Sequence, residues 1–159
     1  MANAIQLVFY DKRYKDDLSK IHLTEDNQRF TQTPSEVLET LSDPYRRMVL
    51  ILNKNTCVGY FVLHEKEGAL SIGFDDKALL IRSLAIDPLM QGKGFAFHGM
   101  NILPEFVKEH YTDINEIVLI VNEKNVPAQK LYQKVGFVEH SSRLNEIHGV
   151  QLIYRYDML

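Results

Sequence analysis

The sequence predicts an α+β domain, and three observations lead there. The first half consists of apolar runs divided by polar turns, the second half alternates helical and strand patterns, and 159 residues suit one domain over residues 1–159. A chain of this size can bury about two-thirds of its surface. A hydrophobic fraction of 45% with 25% charged residues matches an ordinary globular protein and excludes global disorder.

The elements follow in order. Ala4 to Tyr10 is rich in β-branched and aromatic residues and predicts a first strand; the charged stretch Asp11 to Asp17 turns it into a helix. His22 to Pro34 is a polar loop ending in Thr33-Pro34-Ser35-Glu36. Thr33 as N-cap, Pro34 in the first turn and Glu36 as capping-box partner predict a helix to about Ser42. Met48–Leu52 and Cys57–His64 flank Asn53-Lys54-Asn55-Thr56, a hairpin signal. Gly68–Phe74 and Ala78–Ile86 are expected to continue the meander, with Asp75-Asp76-Lys77 as the turn. Beyond it come a helix from Gly94 to His110, a strand Glu116–Val121, a helix Val126–Val135, and closing strands around Phe137–Ser141 and Val150–Tyr156. The helix between the two central strands makes a βαβ crossover. Pro104 is expected to kink the first long helix without stopping it, because Phe106 and Val107 continue its apolar face.

Charge and cysteine content narrow the functional classes. Lys and Arg total 18 against 21 Asp and Glu, a net charge of −3, which argues against binding nucleic acid by phosphate neutralisation. The single cysteine, Cys57, cannot form an internal disulfide, so a reducing, cytoplasmic setting is expected; it reads as a small core residue. No run approaches the roughly 20 apolar residues of a membrane helix, and no secretory signal opens the chain, so no membrane partner is expected. The histidines His22, His64, His98, His110, His140 and His148 lack metal-ligand spacing, and no metal site is expected.

The most informative segment is Ser83-Leu84-Ala85-Ile86-Asp87-Pro88-Leu89-Met90-Gln91-Gly92-Lys93-Gly94-Phe95-Ala96. A buried strand ends at Ile86, Pro88 stops it, and two glycines open a helix whose amides and dipole converge on one point, an arrangement suited to an anion. A P-loop would need glycine where Asp87 stands and Ser or Thr where Gly94 stands. The dinucleotide fingerprint would need a third glycine at Phe97.

Gln91-x-x-Gly94-x-Ala96 resembles the pyrophosphate signature of the GCN5-related N-acetyltransferase (GNAT) superfamily. Leu84-Ala85-Ile86-Asp87-Pro88 is similar to that family's fourth strand, and the segment Asn125 to Phe137, with Ala128, Leu131, Tyr132 and Gly136, is similar to its N-x-x-A-x-x-L-Y-x-x-x-G-F block. The resemblance implies an α/β/α sandwich around a mixed, mostly antiparallel sheet of about seven strands, with strands 4 and 5 splayed. It implies acetyl-coenzyme A as co-substrate and direct transfer of acetyl to a primary amine of a small molecule or peptide through a ternary complex. Leu84, Ala85 and Ile86 would pair with the pantetheine amides. Gln91, Gly92, Lys93, Gly94, Phe95 and Ala96 would hold the pyrophosphate, and Asn122 and Asn125 would add contacts. Tyr132 would protonate the departing thiolate, a transfer that a phenol can make at modest energetic cost.

Many relatives place a basic carboxylate on the fourth strand. Here Ala78 to Leu84 carries only Arg82, so Glu25, Asp26, Glu65, Asp75, Asp76 or a water chain are the candidates. The missing acid motivates an alternative, an acyl-coenzyme A sensor or interaction module of the same fold. Gln28, Phe30 and Pro34, with Arg82, resemble the polyamine acetyltransferase branch; a peptide N-terminus, an amino acid or an aminoglycoside-like amine stand beside it. Homodimerisation is left open.

Overall fold

A computed structural model describes residues 4–159. The strands are β1 (Ile5–Phe9), β2 (Arg46–Asn53), β3 (Thr56–His64), β4 (Ala78–Ile86), β5 (Glu116–Asn122), β6 (Val138–Asn145) and β7 (Gly149–Asp157). The helices are α1 (Lys15–Ser19), α2 (Glu25–Gln28), α3 (Pro34–Thr40), α4 (Glu67–Leu70), α5 (Phe95–His110) and α6 (Val126–Val135). The strands form one seven-stranded sheet in the order β1-β2-β3-β4-β5-β7-β6. Every neighbouring pair is antiparallel except β4–β5, which is parallel because α5 crosses over between them.

Both faces of the central sheet are covered, which explains the unbroken apolar runs. Val49, Ile51, Phe61, Leu63, Leu79, Ile81, Ile117 and Leu119 pack with Met100, Leu103 and Val107 of α5. On the other face Met48, Leu50, Leu52, Tyr60 and Val62 pack with Leu18, Ile21, Leu23 and Val37, from α1, α3 and the segment after α1. The hairpin between β2 and β3 turns on Lys54 and Asn55, both with positive φ, as two-residue loops require. The capping box is present: Thr33 Oγ1 accepts from the Glu36 amide at 3.3 Å, and Glu36 Oε1 accepts from the Thr33 amide at 2.8 Å. Helix α5 runs unbroken through Pro104.

Two expectations need correction. Gly68–Phe74 is not a strand: α4 and a turn replace it. Leu70, Ile72 and Phe74 alternate as in a strand, but Ala69, Ile72 and Phe74 are the residues that pack onto Ala78, Leu80 and Val118, and Leu70 is 53% exposed. Gly68 lies against the His64 ring, where a Cβ would come within 2.7 Å, and Gly73 turns with φ +88°. The loop His22–Pro34 also contains one helical turn, α2, because Thr24 Oγ1 accepts from the Asn27 amide at 3.1 Å.

Candidate active site

Strands β4 and β5 are bonded neighbours from Ala78 opposite Glu116 to Ile81 opposite Leu119, and then they part. Beyond that point β4 follows β3 and β5 follows β7, so a wedge opens between Arg82–Ile86 and Ile120–Asn122. Its cause is local. Val62 faces Arg82 and Tyr60 faces Ala85, so Phe61 opposes both Ser83 and Leu84, a bulge that bends the strand. Ser83 takes the left-handed φ of +60°, held by its hydroxyl donating to Gln32 Oε1 at 2.7 Å. Tyr60 Oη donates to the Gln32 carbonyl at 2.6 Å. Gly59 admits the bend, since a Cβ there would lie 2.6 Å from the Ala85 carbonyl oxygen.

Strand alternation decides which backbone groups enter the wedge. The Asp87 amide donates to the Val58 carbonyl at 2.8 Å, so the N–H and C=O of Ile86 and Leu84 point away from β3, into the opening. Ala85 faces β3. Half-buried amides without strand partners call for another partner, and a peptide-like arm has the matching donors and acceptors.

At the mouth of the wedge stands the glycine loop. Gly92 and Gly94 have φ of +79° and +83°, conformations that glycine adopts without strain. Among the described residues, the amides from Gln91 to Phe97 have no protein acceptor; the first helical bond runs from His98 to the Gly94 carbonyl at 3.0 Å. The 16-residue α5 adds its positive dipole end. Gln91 turns inward, Nε2 donating to the Ile86 carbonyl at 3.1 Å and to Asn27 Oδ1 at 3.3 Å, which ties the loop to β4 and α2. The Lys93 side chain extends from an exposed position. The residues present thus fit a pyrophosphate on the loop and a pantetheine along β4.

Helix α6 begins at Asn125, whose Oδ1 caps the Ala128 amide at 3.3 Å. Tyr132 is buried at 7% exposure, its ring edge-on to Phe137 at 5.6 Å, in the apolar cluster that Leu84 and Ile86 also join. Its hydroxyl has no hydrogen-bond partner among the described residues. Burial pushes its pKa up, so the phenol stays protonated. Asn122 is engaged locally: Nδ2 donates to the His148 carbonyl at 2.6 Å and Oδ1 accepts from the Lys124 amide at 2.9 Å. Gln129, which sequence reasoning missed, donates from Nε2 to the Asn122 and Glu123 carbonyls at 3.1 and 2.8 Å.

The candidate carboxylates are dispersed. Glu25 and Asp26 are exposed on α2, with Asp26 paired to Arg29 at 3.2 Å. Glu65 follows β3 next to the sealed part of the seam, its amide bonded to the Tyr45 carbonyl at 2.9 Å. Asp75 caps the Lys77 amide at 2.9 Å in the turn before β4, with Asp76 exposed beside it. None of the five stands on the wedge strands. Cys57 is buried, and burial pushes its thiol up to about 11, consistent with a core residue.

A parallel strand pair that opens beside a loop of free amides is the binding geometry of an acyl-coenzyme A-dependent N-acyltransferase. Sequence comparison agrees: the pattern of the acetyltransferase (GNAT) family matches residues 10–137, and the chain belongs to that family. It is 38% identical over 158 residues, 98% of this chain and 99% of the other, to a Bacillus subtilis (strain 168) protein named uncharacterized N-acetyltransferase YbbJ. Solved structures share the fold. A Vibrio cholerae spermidine N-acetyltransferase in complex with CoA and spermine superimposes with a TM-score of 0.74 at 17% identity, covering 98% of this chain and 96% of that one. The aminoglycoside acetyltransferase AAC(6')-Ib in complex with coenzyme A gives 0.77 at 14% identity, with 96% and 94% covered. Acetyl-coenzyme A is accordingly the co-substrate. Among the described residues no helix is long and apolar enough to cross a membrane.

Proposed function

We propose that the protein transfers acetyl from acetyl-coenzyme A to a primary amine of a small molecule or peptide by direct attack in a ternary complex. The observation that carries this reading is the register break after Ile81 and Leu119, which leaves the backbone of Leu84 and Ile86 without a strand partner on the β5 side, beside the free loop amides. The amides from Gln91 to Ala96 receive the pyrophosphate, with Lys93 as a mobile charge. Leu84 and Ile86 align the arm, and Ala85 anchors their strand to β3. Asn125 orients α6 toward the site, and Asn122 pins the end of β5.

In the transfer, the neutral amine forms the new C–N bond while a wedge-facing N–H of Leu84 or Ile86 stabilises the carbonyl oxygen as it gains charge. The C–S bond then breaks, and Tyr132 gives its proton to the sulfur, recovering one from solvent. The proton that the nitrogen loses passes to water, in keeping with the lack of a carboxylate on β4. The protein supplies position and polarity rather than a covalent intermediate.

Free-thiol release from acetyl-coenzyme A over a panel of amines tests this. Amine-dependent thiol release is expected. Tight coenzyme A binding with no release for any amine would favour the sensor reading, for which the absence of an acid from β4 speaks.

A further inference from the structure

On the face of the sheet that carries α1–α3, the floor beside the wedge is built by side chains that the transfer reaction described above does not use. Arg82 and Ile120 stand one step past the last bonded pair of β4 and β5, and they point opposite to Ile81 and Leu119, which face α5. Alternation along β5, β7 and β6 places Ile153, Gln151, Ser141 and Arg143 on the same face. Ile120, Gln151 and Ser141 are only half-buried. The floor therefore adjoins the bulge at Ser83, where the amine must arrive.

The charge on this floor is positive and unanswered. Among the described residues Arg82 and Arg143 make no ion pair, although Arg82 is half-buried. Arg82 Nη1 lies 3.3 Å from His64 Nδ1, and Arg143 Nε donates to Gln151 Oε1 at 2.9 Å, both neutral partners. The nearby Asp43 is shared between Arg46 and His64, each at 3.5 Å, and Glu116 is taken by Arg155 at 2.8 Å. Burial lowers the pKa of Arg82, and the like charges of Arg46 and Arg143 lower it further, yet a guanidinium remains charged. A desolvated cation without a counter-ion is unfavourable. Arg82, with the exposed Arg143 on the same face, becomes favourable when an anion bridges the two, because charge-assisted hydrogen bonds to carboxylate or phosphate are strong and fit the guanidinium fork. A polycationic acceptor would meet two like charges instead.

We infer that the acceptor is a compact primary amine that also carries an anionic group, a carboxylate or a phosphate, which Arg82 and Arg143 receive while the amine reaches the bulge of β4. The inference rests on the acyl-transfer reading for the position of the reacting carbonyl. It selects, among the amines the fold admits, the anionic ones.

Titration of the coenzyme A-saturated protein with matched amines tests it without turnover. Glycine against glycinamide reads a carboxylate, O-phosphoethanolamine against ethanolamine reads a phosphate, and spermidine serves as the cationic arm. The anionic member of at least one pair is expected to bind about tenfold or more tighter than its neutral partner. Arg82→Met is expected to bring the pair within about twofold, with coenzyme A affinity unchanged and Arg82→Lys recovering part of the preference. Arg143→Met, on the exposed edge strand, keeps the test available if Arg82→Met does not fold, and is expected to lower the preference severalfold. Equal or tighter binding of glycinamide, ethanolamine or spermidine, no discrimination by the wild type, or undiminished discrimination in both variants would overturn the inference. Failure to bind coenzyme A at all would instead refute the acyl-transfer reading.

Discussion

The two halves of β4 have nearly the same apolar character and opposite roles. Ala78–Ile81 is sealed: β5 bonds one edge throughout, β3 the other at Leu80 and Ile81, and Leu79 and Leu80 are at most 2% exposed. Leu84–Ile86 keeps β3 but loses β5, and Leu84 and Ile86 are half-buried. What divides them is one extra residue opposite Phe61, with the left-handed Ser83 at its centre. A strand that would otherwise complete the sheet is thereby left without a strand partner on its β5 edge. Burial is concentrated in the first half, and an edge free of a strand partner in the second.

That division can be broken from either side. The largest effect is expected at the chemistry: Tyr132→Phe should lower kcat about a thousandfold in single-turnover thiol release while leaving coenzyme A affinity intact, because the hydroxyl has no protein partner to lose. Retention of full activity would remove the tyrosine from the reaction. In the sealed half, Leu79→Ala should cost about 3 kcal/mol of stability in urea unfolding, a fully buried truncation. Ile86→Ala, in the open half, should cost about 1 kcal/mol; equal costs would mean that the halves are not mechanically distinct. At the loop, Gly94→Ala should weaken coenzyme A binding about tenfold by calorimetry, since alanine in the left-handed conformation is disfavoured by roughly 1–2 kcal/mol.

The smallest effect concerns the buried face away from the wedge. Cys57 holds its proton up to about 11 in the folded state, against an ordinary thiol value near 8.5 in the unfolded chain. Between those values the folded protein binds more protons than the unfolded one, so stability should fall as pH rises from about 9 toward 11. Cys57→Ala should flatten that stretch of the stability profile. The Tyr111 hydroxyl, pushed up to about 12 by burial, adds a loss of the same sign above its ordinary value near 10.

Much of this was legible in the chain. The Asn53-to-Thr56 turn, the Thr33 capping box, the glycine loop and α6 with Tyr132 each follow from local chemistry, because turns, caps and periodicity depend on residues only a few positions apart. Leu70, Ile72 and Phe74 misled for the same reason: their alternation suits a strand, but Gly68 beneath His64 and the turn at Gly73 permit a helical turn that covers Ala78 and Leu80 better. Arg82 was conspicuous as the one charge in an apolar strand, yet its partners come from β3 and β6, far along the sequence.

The sequence by itself thus determined the fold class, the glycine loop that opens α5 and the place of Tyr132 on α6, since the loop and the helix are each encoded in a contiguous segment. Tertiary structure decided where β4 leaves β5, which of its amides face the opening, that Asn122 is held by the β6–β7 turn, and that Arg82 and Arg143 share a floor where neighbouring carboxylates are already paired with other residues. Those outcomes depend on register across strands and on which charges burial brings together. Both are settled by packing between segments that the chain keeps apart.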